Sequence, residues 1–390
     1  MINFEFISPT KIYFGKEQEE RIGEIISSYR FSTILIIAGN HSYKDGLVDK
    51  IINNINKYHI DYIVHIGVRA NPEIGTVKEI LNKIKNKKIE MILAVGGGSV
   101  IDTAKSVSVN YFYDGDPFDF NLKKAKVEKA LPIGTILTLS ASGSELSSSC
   151  VIQDDSKNIK VGFNSDLIRP LFSILNPTLT YSVPYNQKMY GVIDIISHSL
   201  ERFFNESDGF SLADNFALGL IKTVLHNARK LKEDNPYDYS AHAEIMLCSS
   251  FSHNGITGIG KPFSLPVHQF EHALSGLYPF VSHGAGLALL LPRWMNYYKY
   301  IDVDKFDIFA KYIYNANNED KYINAKFGVE QFKKDIIELT NIQDYKDLGI
   351  IDVDIPQLVK LVSKNGTRVI GHYLKPMDET IIEKIFKDEE

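Results

Sequence analysis

The strongest constraint on this chain is an alternation in its first half, where short apolar runs take turns with patterns of helical period. TILIIAG (Thr33–Gly39), DYIVHIG (Asp61–Gly67), IEMILAV (Ile89–Val95) and LPIGTIL (Leu131–Leu137) read as buried strands. EQEERIGEIISSY, GLVDKIINNINKY and GTVKEILNKIKNK space Ile, Leu and Val as amphipathic helices do. Such alternation predicts right-handed βαβ units and a parallel sheet that binds ligands at the carboxyl ends of its strands. VIQDD and FSILN add short β-like runs ahead of Pro177 and Pro184. From Tyr185 onward the texture changes to long helical patterns, such as QKMYGVIDIISHSLERFF and ADNFALGLIKTVLHNARK. A chain of 390 residues is too long for one core. The expected architecture is an α/β domain over residues 1–183 followed by an all-helical domain over 184–390.

Composition narrows the classes of function. The chain is 44% hydrophobic and 23% charged, an ordinary globular balance. Its net charge of −5 gives no electrostatic footprint for nucleic acid or an anionic membrane. Cys150 and Cys248 are the only cysteines, which excludes a disulfide framework and fits a reducing compartment. MINFEFISPTKIYFGKE lacks a basic segment leading into an apolar one, and no run approaches the roughly 20 apolar residues of a membrane span. The expectation is a cytoplasmic protein acting on a small molecule, with neither nucleic acid nor membrane as partner.

Two motifs carry chemistry. In AVGGGSVIDTAK (Ala94–Lys105), three glycines join an apolar run to a helical pattern, with Ser99 placed as an N-cap and Asp102 three residues on. A strand, a glycine turn and a helix start point free N–H groups at one spot and suit a phosphate. The stretch is neither a complete dinucleotide fingerprint, since Ile101 stands where the third glycine would be, nor a P-loop. The second motif lies in the helical half. Asp194 and His198 are four apart, as are His268 and His272, and His283 follows in SHGAGLALLLP. Residues four apart share a helix face, and an i, i+4 pair supplies two metal ligands without loop entropy. Val192, Ile193, Ile195 and Ile196 surround Asp194, so this helix reads as buried and its polar groups need partners. One carboxylate with imidazoles suits Fe(II) or Zn(II).

In their order along the chain, YFG (Tyr13–Gly15), Asn71-Pro72, GGGSVIDTAK, TLSASGSE (Thr138–Glu145), GVIDIISHSLE, SHNG and HQFEHALSGLYPFVSHGAG resemble the iron-containing alcohol dehydrogenases, including butanol dehydrogenases and aldehyde reductases. The resemblance implies an N-terminal dinucleotide-binding domain and a helical C-terminal domain, with metal and nicotinamide between them. It implies Asp194, His198, His268 and His283 as ligands of Fe2+ or Zn2+, and His272 beside the metal as the group relaying the alcohol proton. Gly97, Gly98 and Ser99 would hold the pyrophosphate, with Asp102 near the nicotinamide. Asn71, Thr138, Ser142, Ser144 and Lys160 would also meet the cofactor. A homodimer is implied as well. Ser264 and Leu265 stand where many relatives have Asp-Trp, a change at the substrate pocket.

Cofactor choice is expected after the strand TILIIA, where NAD-using relatives often carry Asp to bind the ribose 2′-OH. Here that position is Gly39, followed by Asn40, His41, Ser42, Tyr43 and Lys44, with no carboxylate before Asp45. Asn40 and Ser42 could donate to a 2′-phosphate, so NADP(H) is expected in preference to NAD(H). A metal- and NAD-dependent carbon–oxygen lyase of the dehydroquinate synthase type is the alternative with the same architecture. It would require a basic cluster, and the ligand-bearing segments offer only Arg202 and Lys261. A non-catalytic nucleotide or metal sensor is a third reading.

Overall fold

The computed structural model of the chain describes residues 1–205, 211–232, 235–371 and 376–389. The α/β part holds strands β1 (Lys11–Phe14), β2 (Thr33–Gly39), β3 (Asp61–Val68), β4 (Met91–Gly96), β5 (Ile133–Leu137), β6 (Ser149–Asp154), β7 (Ile159–Asn164) and β8 (Phe172–Leu175). Its helices are α1 (Ile22–Ser28), α2 (Asn40–Lys44), α3 (Leu47–Asn56), α4 (Ile74–Lys83) and α5 (Gly98–Asn110). Six strands form one parallel sheet in the order β1-β8-β5-β4-β2-β3, and β6 and β7 pair as an antiparallel hairpin.

Side chains alternate across the sheet and feed two separate cores. Leu35, Ile37, Ile92 and Ala94 join the helices α4 and α5 on one face, while Ile34, Ile36, Met91 and Leu93 join α1 and α3 on the other. Burial on both faces is why β2 and β4 read as unbroken apolar runs. The strands expected from the sequence are all present. β1 and β7 are additional: β1 is a four-residue edge strand with its ends exposed, so it lacks the continuous apolar signal. The chain leaves β2 for β3 on one side and returns for β4 on the other. Gly39 and Gly96 therefore end adjacent strands at the point where the winding reverses, the crevice that binds ligands in such sheets.

From Tyr185 the described elements are α6 (Tyr185–Phe203), α7 (Leu212–Lys230), α8 (Tyr239–His253), α9 (Pro266–Leu277), α10 (His283–Tyr298), α11 (Val303–Tyr314), α12 (Lys321–Thr340), α13 (Ile355–Ser363) and α14 (Glu379–Lys387). The compact units are not contiguous in sequence. One comprises Ile7–Val183 with Asn235–Ser250, and the other Met1–Phe6, Pro184–Asp234 and Phe251–Glu390. A single boundary near residue 183 is thus joined by two excursions, each with a packing reason. Most of α8 counts with the α/β unit because Met246 enters its core, His242 meets Thr180 Oγ1 at 2.6 Å, and Ser250 Oγ donates to Glu145 Oε1 at 2.6 Å. The first six residues count with the helical unit, where Ile2 N–H donates to Gly260 O at 3.1 Å.

Candidate active site

In the helical unit, α6 is buried around its whole circumference from Gly191 onward, with Val192, Ile193, Ile195 and Ile196 all fully inaccessible. Its last carbonyls, which no helix can satisfy internally, are met by cations: Lys261 Nζ donates to Arg202 O and Phe203 O, and Lys305 Nζ to Phe203 O at 2.7 Å. Lys261 also pairs with the buried Asp214. Arg202 donates to His198 O and Ser252 O, each at 2.8 Å, and lies 3.0 Å from His253 Nδ1. Both basic residues that a lyase would need for an acidic substrate are therefore spent on structure.

Asp194 Oδ1 is the focus of the unit. His198 Nδ1 lies 3.4 Å from it, His268 Nε2 3.5 Å and His283 Nε2 3.7 Å. α6 supplies Asp194 and His198 one turn apart, α9 supplies His268 in its first turn, and α10 begins at His283. Small residues after His283 allow this convergence. A Cβ on Gly284 would sit 2.1 Å from the Tyr190 carbonyl of α6. Among the described residues, Asp194 Oδ1, His198 Nδ1 and His268 Nε2 are buried without a hydrogen-bond partner. Among the described residues, Asp194, His268 and His283 each bring a ligand atom within 4.8 Å of the others, whereas His198 faces Asp194 but stands outside that group. Orphaned buried polar atoms are costly unless a cation takes them, and a carboxylate with imidazoles is the donor set of Fe(II) or Zn(II). The residues fit a metal.

The electrostatics agree. Burial opposes charge on the His268 imidazole, but Glu201 and Asp194 outweigh it and push that group up to about 9. Burial, reinforced by His253 and His268, pushes His198 well below the usual histidine range. His272 sits one turn beyond His268, partly exposed, with its ring 5.7 Å from that of His283. Two residues the sequence reading missed complete the cluster. Glu201 Oε1 meets His268 Nδ1, and Glu271 Oε2 meets His283 Nδ1, both carboxylates being fully buried. The available signal was spacing: Glu201 lies two turns after Asp194 on α6, and Glu271 one turn after His268 on α9.

In the α/β unit, α5 starts at Gly98 with Gly97 as its N-cap, and no side chain caps it. The expected Ser99–Asp102 capping pair does not form. Asp102 instead accepts from Ser144 Oγ at 2.5 Å and Val151 N at 3.0 Å. Burial pushes its carboxyl up. Val100 N–H and Ile101 N–H return to Gly97 O, and the Gly98 and Ser99 amides remain for an anion. The glycines also make room for the segment from Thr138 to Glu145: a Cβ on Gly98 would lie 2.3 Å from Ser142 Oγ, and one on Gly97 3.1 Å from Leu139 Cβ. Thr138 N–H donates to Gly96 O at 3.2 Å, which closes the turn. These glycines let the 138–145 segment close over the turn, and the backbone amides that open α5 are the groups that would meet a dinucleotide pyrophosphate.

The other expected cofactor residues divide. Lys160 Nζ donates to Asn71 Oδ1 at 3.1 Å, bringing those two together. Ser144 Oγ, by contrast, is occupied by Lys105 and Asp102 inside the protein. Lys105 is fully buried, its Nζ facing Ser144 O, Ser144 Oγ, Ser147 O, Ser147 Oγ and Ser149 O, and burial pushes it down to about 8. After β2, Asn40, His41 and Lys44 are exposed while Ser42 is buried. Asp45, the nearest carboxylate, accepts from Ser182 Oγ at 2.8 Å and lies 3.1 Å from His41 Nε2.

Known proteins resemble this chain along nearly all of its length. The model of the family described as iron-containing alcohol dehydrogenase matches residues 9–177, and that of the Fe-containing alcohol dehydrogenase family C-terminal region matches 188–389. The chain is 33% identical to NADH-dependent butanol dehydrogenase A of Clostridium acetobutylicum, over 99% of each chain. It is 29% identical to the NADPH-dependent aldehyde reductase YqhD of Escherichia coli, over 95% of each. The crystal structure of NADH-dependent butanol dehydrogenase A from Thermotoga maritima superposes with a TM-score of 0.94 at 34% identity, covering 100% of this chain and 98% of that one.

Proposed function

We propose a specific chemistry for this chain, which belongs to the iron-containing alcohol dehydrogenase family. It is a metal-dependent alcohol dehydrogenase or aldehyde reductase, an oxidoreductase acting on alcohols. Its proposed substrates are small to medium primary alcohols and the matching aldehydes, in keeping with relatives named for butanol and aldehydes. Asp194, His198, His268 and His283 would hold Fe2+ or Zn2+. When bound, the metal polarises the substrate oxygen and the nicotinamide accepts or gives the hydride. The observation that carries the reading is the set of buried, partnerless donor atoms on Asp194, His198 and His268.

The protein's own groups do the rest. Gly97, Gly98 and Ser99 would bind the pyrophosphate through backbone amides, with Asn71, Thr138, Ser142 and Lys160 along the cofactor. Asp102 and Ser144 would act indirectly, by holding the 138–149 segment in place. His272 would take the alcohol proton on a ring nitrogen during oxidation and return it during reduction, its partial exposure giving the proton a way to solvent. NADP(H) is the proposed preferred cofactor. Gly39 ends its strand without a carboxylate, Asn40, His41 and Lys44 are exposed beside it, and Asp45 is already engaged. Relatives named for NADH and for NADPH both match, so this preference rests on those residues. A homodimer is proposed from the resemblance alone. A cytoplasmic location accords with two unpaired, buried cysteines. Among the described residues no helix is long and apolar enough to cross a membrane.

Purified protein is assayed for metal content and for aldehyde reduction with NADPH and NADH, alongside His268→Ala. The variant is expected to stay folded, lose stoichiometric metal and lose more than about 100-fold in turnover, beyond the cost of disturbing a ligand's outer partner. Full metal and near-normal turnover in His268→Ala would overturn the ligand assignment.

A further inference from the structure

We propose that Glu201 and Glu271 are positioning residues that hold His268 and His283 in the one tautomer able to bind a metal. The inference rests on the metal-site reading above and adds how the site selects that tautomer. A carboxylate only accepts hydrogen bonds, so the contacts of Glu201 Oε1 with His268 Nδ1 and of Glu271 Oε2 with His283 Nδ1 place the hydrogen on Nδ1 in each neutral ring. Both Nε2 lone pairs are then left facing Asp194 Oδ1, at 3.5 and 3.7 Å. The same device appears twice, on rings carried by different helices.

Glu201 cannot turn away from this duty. Its second oxygen accepts the Val267 N–H at 2.6 Å and the His268 N–H at 3.4 Å, the opening amides of α9 behind Pro266. One buried side chain of α6 thus caps α9 and orients the histidine in that first turn. Glu271 is seated by α10, where Gly286 leaves room: a Cβ there would lie 3.0 Å from Glu271 Cγ.

Backbone amides cannot be reversed, and this gives the inference a sharp test. Glu201→Gln must offer its carbonyl oxygen to Val267 N–H, which turns its NH2 group toward His268 Nδ1. That ring nitrogen becomes an acceptor and the hydrogen moves to Nε2, where the metal would bind. Glu271→Leu removes the second acceptor outright.

The probe is Zn(II), with affinity read by competition against a chromophoric chelator and stability read by urea unfolding of the metal-free proteins. Glu201→Gln and Glu271→Leu are each expected to bind zinc about 10- to 100-fold more weakly than the unmodified protein. Should Glu201→Gln fail to fold, Glu271→Leu alone decides. Wild-type zinc affinity in the folded variants, even with lowered stability, overturns the inference, because a purely structural role would move only the unfolding midpoint. If His268→Ala also keeps wild-type zinc affinity, the metal-site reading itself fails, which separates the two failures.

Discussion

At the scale of single residues, His268 and His272 lie one turn apart on α9 and yet meet different surroundings. His268 is nearly inaccessible and bounded by Asp194 and Glu201, whereas His272 is partly exposed and stands toward His283. His272→Ala is expected to keep its metal, to lose about 10²- to 10⁴-fold in turnover and to change the pH profile of kcat. Metal analysis beside a pH–rate curve checks this, and loss of metal would move His272 among the ligands. The sequence showed the Asp and His members of this cluster because polar residues at helical spacing stand out within an apolar helix. It hid Glu201 and Glu271 because a helical glutamate ordinarily faces water, so their helical spacing from Asp194 and His268 does not by itself mark a buried carboxylate.

At the scale of elements, the end of β2 and the start of α5 set what the nucleotide meets. A Cβ on Gly39 would find only ordinary contacts, Val100 Cγ2 at 3.5 Å and Val68 O at 3.9 Å, and the residue's φ of −77° suits any side chain. Gly39→Asp should therefore fold normally and shift the ratio of kcat/KM values toward NADH by repelling a 2′-phosphate. Steady-state kinetics with both cofactors test it; an unchanged ratio would show that this loop does not meet the ribose. Helix α5 is fastened to residues 144–149 by Lys105. Lys105→Met leaves several buried acceptors without a donor and is expected to cost about 3 kcal/mol or more of stability, read by urea unfolding. The sequence indicated a strand–glycine–helix unit here but misplaced its cap. Ser99 had the right identity for one, and only packing shows that Gly97 takes that position while Asp102 is drawn to Ser144 and Val151.

At the scale of the whole molecule, the α/β and helical halves were legible because continuous apolar runs alternate with patterns of period 3.6 before residue 183, whereas long patterns of period 3.6 dominate after it. The two excursions were not legible, since α8 carries an ordinary helical pattern and its allegiance depends on where Met246, His242 and Ser250 find partners. A fragment of residues 1–183 would lack Met246 from its core and Ser250 opposite Glu145. It is expected to unfold at lower urea than the α/β unit of the full chain, or to aggregate, while the same fragment supplied with residues 235–250 as a peptide recovers in part. Equal stability of the fragment alone would show those contacts to be dispensable.

The return of residues 235–250 to the first unit also sets a timetable for the growing chain. During synthesis the sheet and its glycine turn emerge early, yet that unit lacks its last segment until Ser250 has left the ribosome, well after α6 has appeared. Met1–Phe6 wait longer still, because Ile2 has no backbone partner until Gly260 is made. Each half is therefore finished by a segment translated after the other has begun, and a nascent chain stalled between residues 184 and 234 would hold neither half complete.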